Sequence, residues 1–85
     1  MGLADNIRAR VHQGLLPPGM PEKIVSLFGD GQACRACDKP IYEAQTRYEF
    51  GFSGFGPFRF HLGCLGLWTA ELIRRGWLRR SPNLQ

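Results

Sequence analysis

Two short motifs restrict this chain more than anything else in it: Cys34-x2-Cys37 and, after 23 residues, His61-x2-Cys64. Each has the spacing of half a metal site. A tight knuckle turns both side chains of the first pair inward, and one turn of helix aims both side chains of the second at the same point. A structural zinc takes four such ligands in a tetrahedron, at about 2.3 Å from sulfur and about 2.0–2.1 Å from nitrogen, and leaves no position open. Cys34, Cys37, His61 and Cys64 are therefore expected to hold one structural Zn2+. The other reading of Cys34-Arg35-Ala36-Cys37 is a redox pair, which occurs in strand-and-helix contexts. No strand is legible before it and no helix clearly follows it. His12, the only other histidine, falls on the polar face of a separate helix.

Size explains why a staple is needed. The chain has 85 residues, of which Gly and Pro make up one in five. Below about 70–80 residues a hydrophobic core rarely supplies more than roughly 3–5 kcal/mol, so a chain close to that length calls for a further tie. A large enzyme with a deep pocket is excluded on size. No apolar run approaches a membrane span and no signal peptide opens the chain, so a membrane partner is not expected. Three cysteines, an odd number, argue against a closed disulfide framework and for a reducing compartment, hence a cytoplasmic protein.

Apolar periodicity places the elements around this centre. Leu3, Ile7 and Val11 recur at helical spacing, predicting an amphipathic helix over 3–14 with Gly14 as its stop. Leu15-Leu16-Pro17-Pro18-Gly19 forces a connector, and 21–28 reads as either a short helix or a strand. Thr46–Phe52 alternates as a strand with Tyr48, Phe50 and Phe52 on one face; Ser53–Pro57 turns, and Phe58–Phe60 returns as a second strand. A second helix over 62–75 carries Cys64, Leu65, Trp68 and Leu72 on one stripe, facing the metal and hairpin. Its other apolar stripe, Leu67, Ala70 and Ile73, needs a cover, either the N-terminal helix or a second copy. Gly76 has the place of a left-handed C-cap, with Trp77 set to touch Leu72. The expected fold class is a small α+β zinc-stabilised domain: knuckle, β-hairpin and C-terminal helix, with an N-terminal helical extension. Residues 1–31 form the extension and connector, 32–80 the zinc-binding domain and 81–85 a tail.

Knuckle, hairpin and a helix bearing the last two ligands resemble the treble-clef arrangement. Over roughly residues 32–70, Cys34-x2-Cys37 and Phe60-His61-x2-Cys64, with Trp68 following, resemble the first half of a LIM domain. They are also similar to the poly(ADP-ribose) polymerase-type zinc finger, which has the same Cys-Cys-His-Cys ligand order, and to short bacterial proteins with the same run. The resemblance implies a zinc finger with these four ligands. The second ligand set that a LIM domain carries has no counterpart in Leu65-Gly66-Leu67-Trp68. The broken-DNA surfaces of the polymerase-type finger cannot be matched residue by residue.

Charge bears on the partner. The formal net charge is +4, and the excess sits at the C-terminal end, where Arg74, Arg75, Arg79 and Arg80 face only Glu71. The first two arginines suit a helix C-terminus, and Glu71 with Arg75 makes an i, i+4 pair. The four also bracket Trp77, which is a footprint for a protein partner or self-association, with Trp and Arg as anchors. The alternative is a nucleic-acid-binding finger using the same arginines, with Trp77 for stacking. An enzyme is not expected, because four ligands close the metal site. Position 63 is glycine where a zinc deaminase needs glutamate, and a nuclease of this scaffold needs histidines beyond His12. Glu43 and Glu49 read as solvated hairpin carboxylates. Structural zinc and a protein-interaction role are thus the expected function.

Overall fold

A computed structural model describes residues 2–52 and 55–78, with the side chain of Phe55 excepted. The described residues form a small α+β fold. The elements run α1 (Leu3–His12), β1 (Val25–Phe28), β2 (Thr46–Phe52), β3 (Phe55–Phe60) and α2 (Leu62–Arg74). The three strands make one antiparallel sheet in the order β1-β2-β3.

The hairpin follows the aromatic alternation. Phe50 lies opposite Phe58 and Tyr48 opposite Phe60, which sets these four side chains on one face, while Glu49 and Arg59 pair on the other. Phe50, Phe58 and Phe60 are buried there, and α2 lays Trp68 across them. The Trp68 ring stacks on Phe50 with centroids 5.2 Å apart and meets Phe60 edge-on at 5.3 Å. Offset stacked and edge-to-face contacts suit the quadrupoles of such rings, so the cluster is specific as well as apolar. A buried indole N–H needs an acceptor. Trp68 Nε1 donates to the Pro17 carbonyl at 3.0 Å, which ties the Leu-Pro-rich connector onto the core. Leu16 and Pro17 are buried as a result.

Residues 21–28, which could have been helix or strand, contribute β1, paired to β2 with Ser26 opposite Tyr48 and Phe28 opposite Thr46. Four residues are too few to show a period, so the sequence left the choice open. Strand β1, from residues 1–31, belongs to the same sheet as the hairpin. The second hairpin strand begins at Phe55, three residues earlier than expected; Ser53 and Gly54, in the predicted turn, lie outside the described residues.

Both helices stop in the same way. Gly14 and Gly76 each have φ +78. The N–H of Gly76 reaches the Ile73 carbonyl and that of Trp77 the Leu72 carbonyl; Gly14 and Leu15 repeat the pattern on Val11 and Arg10. These are the paired bonds of a Schellman motif, which needs a residue in the left-handed region. The bond between Trp77 and Leu72 is a backbone one, N–H to carbonyl at 2.9 Å. Ile7 and Val11 bury one face of α1 against the core. On α2, Cys64, Trp68 and Leu72 are buried as predicted, with Leu65 half-buried. The second stripe is not covered as a unit: Leu67 packs partly into the core, Ile73 is half-buried and Ala70 is exposed. The helix α1 instead meets α2 beside Glu71, through Arg8 and Arg75.

Candidate metal centre

Three elements bring the four sequence-predicted ligands together. Cys34 and Cys37 sit on a knuckle closed by an isolated bridge between Ala33 and Pro40. Within it the Asp38 N–H bonds the Cys34 carbonyl at 2.8 Å and the Cys34 N–H bonds the Lys39 carbonyl at 2.9 Å. Asp38 completes the turn at φ +66, a conformation that short polar side chains tolerate better than most. His61 stands between β3 and α2 as the helix N-cap, and Cys64 lies in the first helical turn. One ligand atom from each of Cys34, Cys37, His61 and Cys64 falls within 4.8 Å of the other three.

The separations have the scale of a tetrahedral site. His61 Nδ1 is 3.4 Å from Cys37 Sγ and 3.8 Å from Cys64 Sγ. A tetrahedron with the usual metal–sulfur and metal–nitrogen lengths sets such atoms roughly 3.5 Å apart. The far side of the ring is also arranged: His61 Nε2 is 3.0 Å from the Pro40 carbonyl oxygen. A carbonyl only accepts, so Nε2 carries the proton and Nδ1 presents its lone pair to the three sulfurs. This is the outer hydrogen bond that orients ligating histidines. The Ala36 N–H, 3.4 Å from Cys34 Sγ, donates to sulfur inside the knuckle.

Electrostatics favour a cation at this point. Burial, followed by the proximity of Cys34 and Cys37, pushes the Cys64 thiol well above its ordinary value. Burial likewise raises Cys37, against a lowering hydrogen bond from the Lys39 backbone. Three thiols this close together cannot all ionise side by side unless a positive charge sits among them. A divalent ion would supply that charge and reverse the preference. Cys34 and Cys64 are buried, whereas Cys37 and His61 are half-buried and face a cleft of about 470 Å³ rimmed by Leu3 and Lys39. The four residues are thus placed to hold one metal ion with no protein ligand lacking.

The helix α1 clasps the outside of the knuckle. Arg10 donates to the Arg35 carbonyl at 2.8 Å and makes a two-pronged contact with the Asp38 carboxylate. The hydrogen bond from Arg10 holds the Asp38 carboxyl below its usual value. This pair, 28 residues apart in the chain, had no local signal by which the sequence could reveal it.

The predicted partner residues are distributed differently. Arg74 and Arg75 both turn to the carboxylate of Glu71, Arg74 through Nε at 3.0 Å and Nη2 at 2.6 Å, Arg75 through Nε. Arg8 of α1 adds a third guanidinium 3.5 Å from the same carboxylate. The hydrogen bond from Arg74, then that from Arg75, hold the buried Glu71 carboxyl down to about 2. Trp77, half exposed, lies under the Arg75 guanidinium at 5.1 Å from ring centre. Arg79 and Arg80 lie outside the described residues. The i, i+4 pairing of Glu71 with Arg75 was legible in the sequence; the participation of Arg8 was not. Glu49, expected to be solvated, is instead half-buried between Arg47 and Arg59, with Arg47 also 3.8 Å from Asp30. Cross-strand pairing of Glu49 with Arg59 produces this network, and it depends on a register that only the folded hairpin fixes.

No protein-family model matches the chain, and no curated protein or solved structure matches it either. Among the described residues no helix is long and apolar enough to cross a membrane.

Proposed function

We propose that the chain is a treble-clef-like zinc-binding module in which a single Zn2+ is structural and whose role is protein interaction. The observation that carries the reading is the convergence of Cys34, Cys37, His61 and Cys64, with His61 held in the ligating tautomer by the Pro40 carbonyl. Three thiolates and one imidazole are a donor set that favours zinc among common divalent ions. Four protein ligands fill a tetrahedron, and this supports a structural metal over a catalytic one that needs an open position. The connectivity of knuckle, hairpin and ligand-bearing helix agrees with the treble-clef resemblance, and the three free thiols fit a reducing compartment.

The arginines weigh between partners. Phosphate contacts require guanidinium groups with free donors, yet Arg74 directs Nε and Nη2, and Arg75 its Nε, to Glu71. That favours a protein or a second copy over nucleic acid, with the half-exposed Trp77 as an apolar anchor. Native mass spectrometry before and after chelation tests the metal: one zinc per chain is expected, with the compact charge states lost on chelation. A compact, metal-free monomer would overturn the reading. Replacing Arg74, Arg75, Arg79 and Arg80 by glutamine tests the partner. A nucleic-acid binder loses binding on every sequence, with a log–log salt slope falling from about −3.6 towards zero; an interaction module shows no such slope.

A further inference from the structure

We propose that β1 is a self-association edge: two copies of the chain join antiparallel along Val25–Phe28, with Ser26 on the twofold axis, and the three-stranded sheet becomes one of six strands. The inference names a second copy as the partner of the interaction module and rests on that reading.

The edge is open and carries no lysine, proline or bulge. Among the described residues no strand lies beyond β1 in the sheet order. All four of its residues are exposed, Phe28 at 83%. Native edges are commonly blunted by lysine, proline or a bulge; β1 reads Val-Ser-Leu-Phe and pairs with β2 without a shift. Its length, four residues, is the one restraint. A shallow cavity of about 280 Å³ runs along Ser26, Leu27, Phe28 and Thr46.

Backbone direction decides which groups are available. The Gly29 N–H bonds the Gln45 carbonyl at 2.9 Å, immediately beyond the Phe28–Thr46 pair. In an antiparallel ladder the hydrogen-bonded residues alternate. Leu27 and Val25 therefore direct their backbone groups to β2, and Ser26 and Phe28 direct theirs outward. The outward Phe28 carbonyl also accepts from Arg47 Nε at 3.1 Å and keeps its second lone pair.

Side-chain direction then selects the register. Ser26 and Phe28 share the face of Tyr48 and the buried Phe50, while Val25 and Leu27 share the face of Glu49 and Arg47. Residues directly opposite across a ladder lie on the same face. With Ser26 opposite its own copy, Val25 meets the second copy's Leu27 on one face and Ile24 meets the second copy's Phe28 on the other, each contact occurring twice. Apart from the axial Ser26 pair, apolar side chains then meet apolar side chains. The outward groups of Ser26 exchange two hydrogen bonds across the axis. Centred instead on Leu27, the pairing would set Ile24 against Asp30 and Val25 against Gly29. Beside the seam Arg47, Arg59, Glu49 and Asp30 compensate one another within each copy, although the register extended past the strand sets Glu22 opposite the second copy's Asp30.

A seam this short buries less than a standard interface, so a weak dimer that forms only at high protein concentration is expected. Sedimentation equilibrium of the zinc-loaded protein up to about 1 mM, with zinc content read by native mass spectrometry, measures it. Ser26→Pro deletes a donor that faces away from β2, a position where an edge tolerates proline. It is expected to weaken the dimer about 100-fold while one zinc per chain is retained. Ser26→Cys is expected to cross-link the two copies under mild oxidation where the unsubstituted protein does not. A hydrogen-bonded pair sets its Cα atoms about 5.5 Å apart, within the span of a disulfide. Should Ser26→Pro lose its zinc, Phe28→Lys takes its place; Phe28 is outside the core, and its substitution is expected to weaken the dimer to a similar extent. A zinc-loaded monomer at the highest concentration overturns the edge and leaves the zinc module standing. A dimer indifferent to these variants, or one that Ser26→Cys does not cross-link, also overturns it. Absence of zinc from the unsubstituted protein is a different failure, that of the module itself.

Discussion

The two ends of α2 are anchored by different chemistry. At its start, His61 and Cys64 join Cys34 and Cys37, four ligand atoms within 4.8 Å. At its finish, Glu71 gathers Arg8, Arg74 and Arg75. With the proposed zinc bound, coordination at the first end would be all or none, because a site that loses one ligand loses its geometry. The ionic end is graded: Glu71 is buried, but Arg8 and Arg74 are half exposed, so solvent and salt share the work. Between them Trp68 couples the helix to the hairpin and to Pro17. On the proposed reading, loss of the metal is therefore expected to act on the whole fold and loss of the ion cluster to act locally.

The largest effect separates these ends most sharply. Zinc ligation in finger peptides contributes an apparent ~10–16 kcal/mol at neutral pH, comparable to the whole stability of a small domain. Chelation, or Cys64→Ser, is expected to abolish tight binding and unfold hairpin and helix together, read in the near-UV circular dichroism of Trp68. His12→Ala, on the exposed face of α1, is expected to leave both unchanged. Equal loss in the two variants would misassign the fourth ligand. A chelated protein with an intact Trp68 signal would show that the aromatic cluster suffices without coordination.

Trp68 comes next. Truncating a fully buried tryptophan costs about 3–5 kcal/mol, and here Trp68→Ala also leaves the Pro17 carbonyl without its donor. Urea denaturation of the zinc-loaded variant measures the loss. Unfolding of both ends at one urea concentration would mean that α2 transmits between them; a separate early transition of α1 and the connector would mean that Trp68 serves the connector alone.

Glu71→Gln addresses the ionic end and should be smaller, about 1–2 kcal/mol after allowance for half-exposed partners. Its pH dependence carries a definite sign. The carboxyl is held down to about 2 from an ordinary 4.5. A depressed acid stabilises the fold fully above its unfolded value and loses that contribution as pH falls through the folded one. The stability difference between the unsubstituted protein and Glu71→Gln is therefore expected to be the same at pH 7 as at pH 5.5, and to shrink only below about 4.5. A difference that faded between pH 7 and 5.5 would mean that the metal end, whose ligands must be deprotonated, governs the ionic end as well.

What could be read in the sequence follows from how local each signal is. Cys34-x2-Cys37 and His61-x2-Cys64 announce themselves because each half-site spans four residues, and the fold has only to bring two halves together. The hairpin was legible through the alternation of Tyr48, Phe50 and Phe52, and both helix stops through Gly14 and Gly76. Strand β1 was not, since Val25–Phe28 is too short for periodicity and gains its identity from β2. Arg10 with Asp38, and Arg8 with Glu71, join residues far apart in the chain; charge spacing within a helix cannot announce them. The apolar stripe on α2 stayed uncovered as a unit because α1 meets α2 beside Glu71, a placement that hydrophobic pattern leaves free.

The smallest effect tests whether the two helix ends differ in anything but their anchors. Gly14 and Gly76 share φ +78 and the Schellman bonding pattern, and a methyl group added at either would find no atom within 4 Å, so it meets strain and no clash. Left-handed backbone costs an L-residue roughly 1–2 kcal/mol. Gly14→Ala and Gly76→Ala are therefore expected to cost about 1 kcal/mol each, and asparagine at either position less. Urea denaturation of the two zinc-loaded variants gives the comparison. Equal losses would mean that each stop is a local matter of backbone conformation. A larger loss at Gly76 would mean that displacing the last turn of α2 also draws Arg74 and Arg75 from Glu71, so that the C-cap holds the ionic anchor in place.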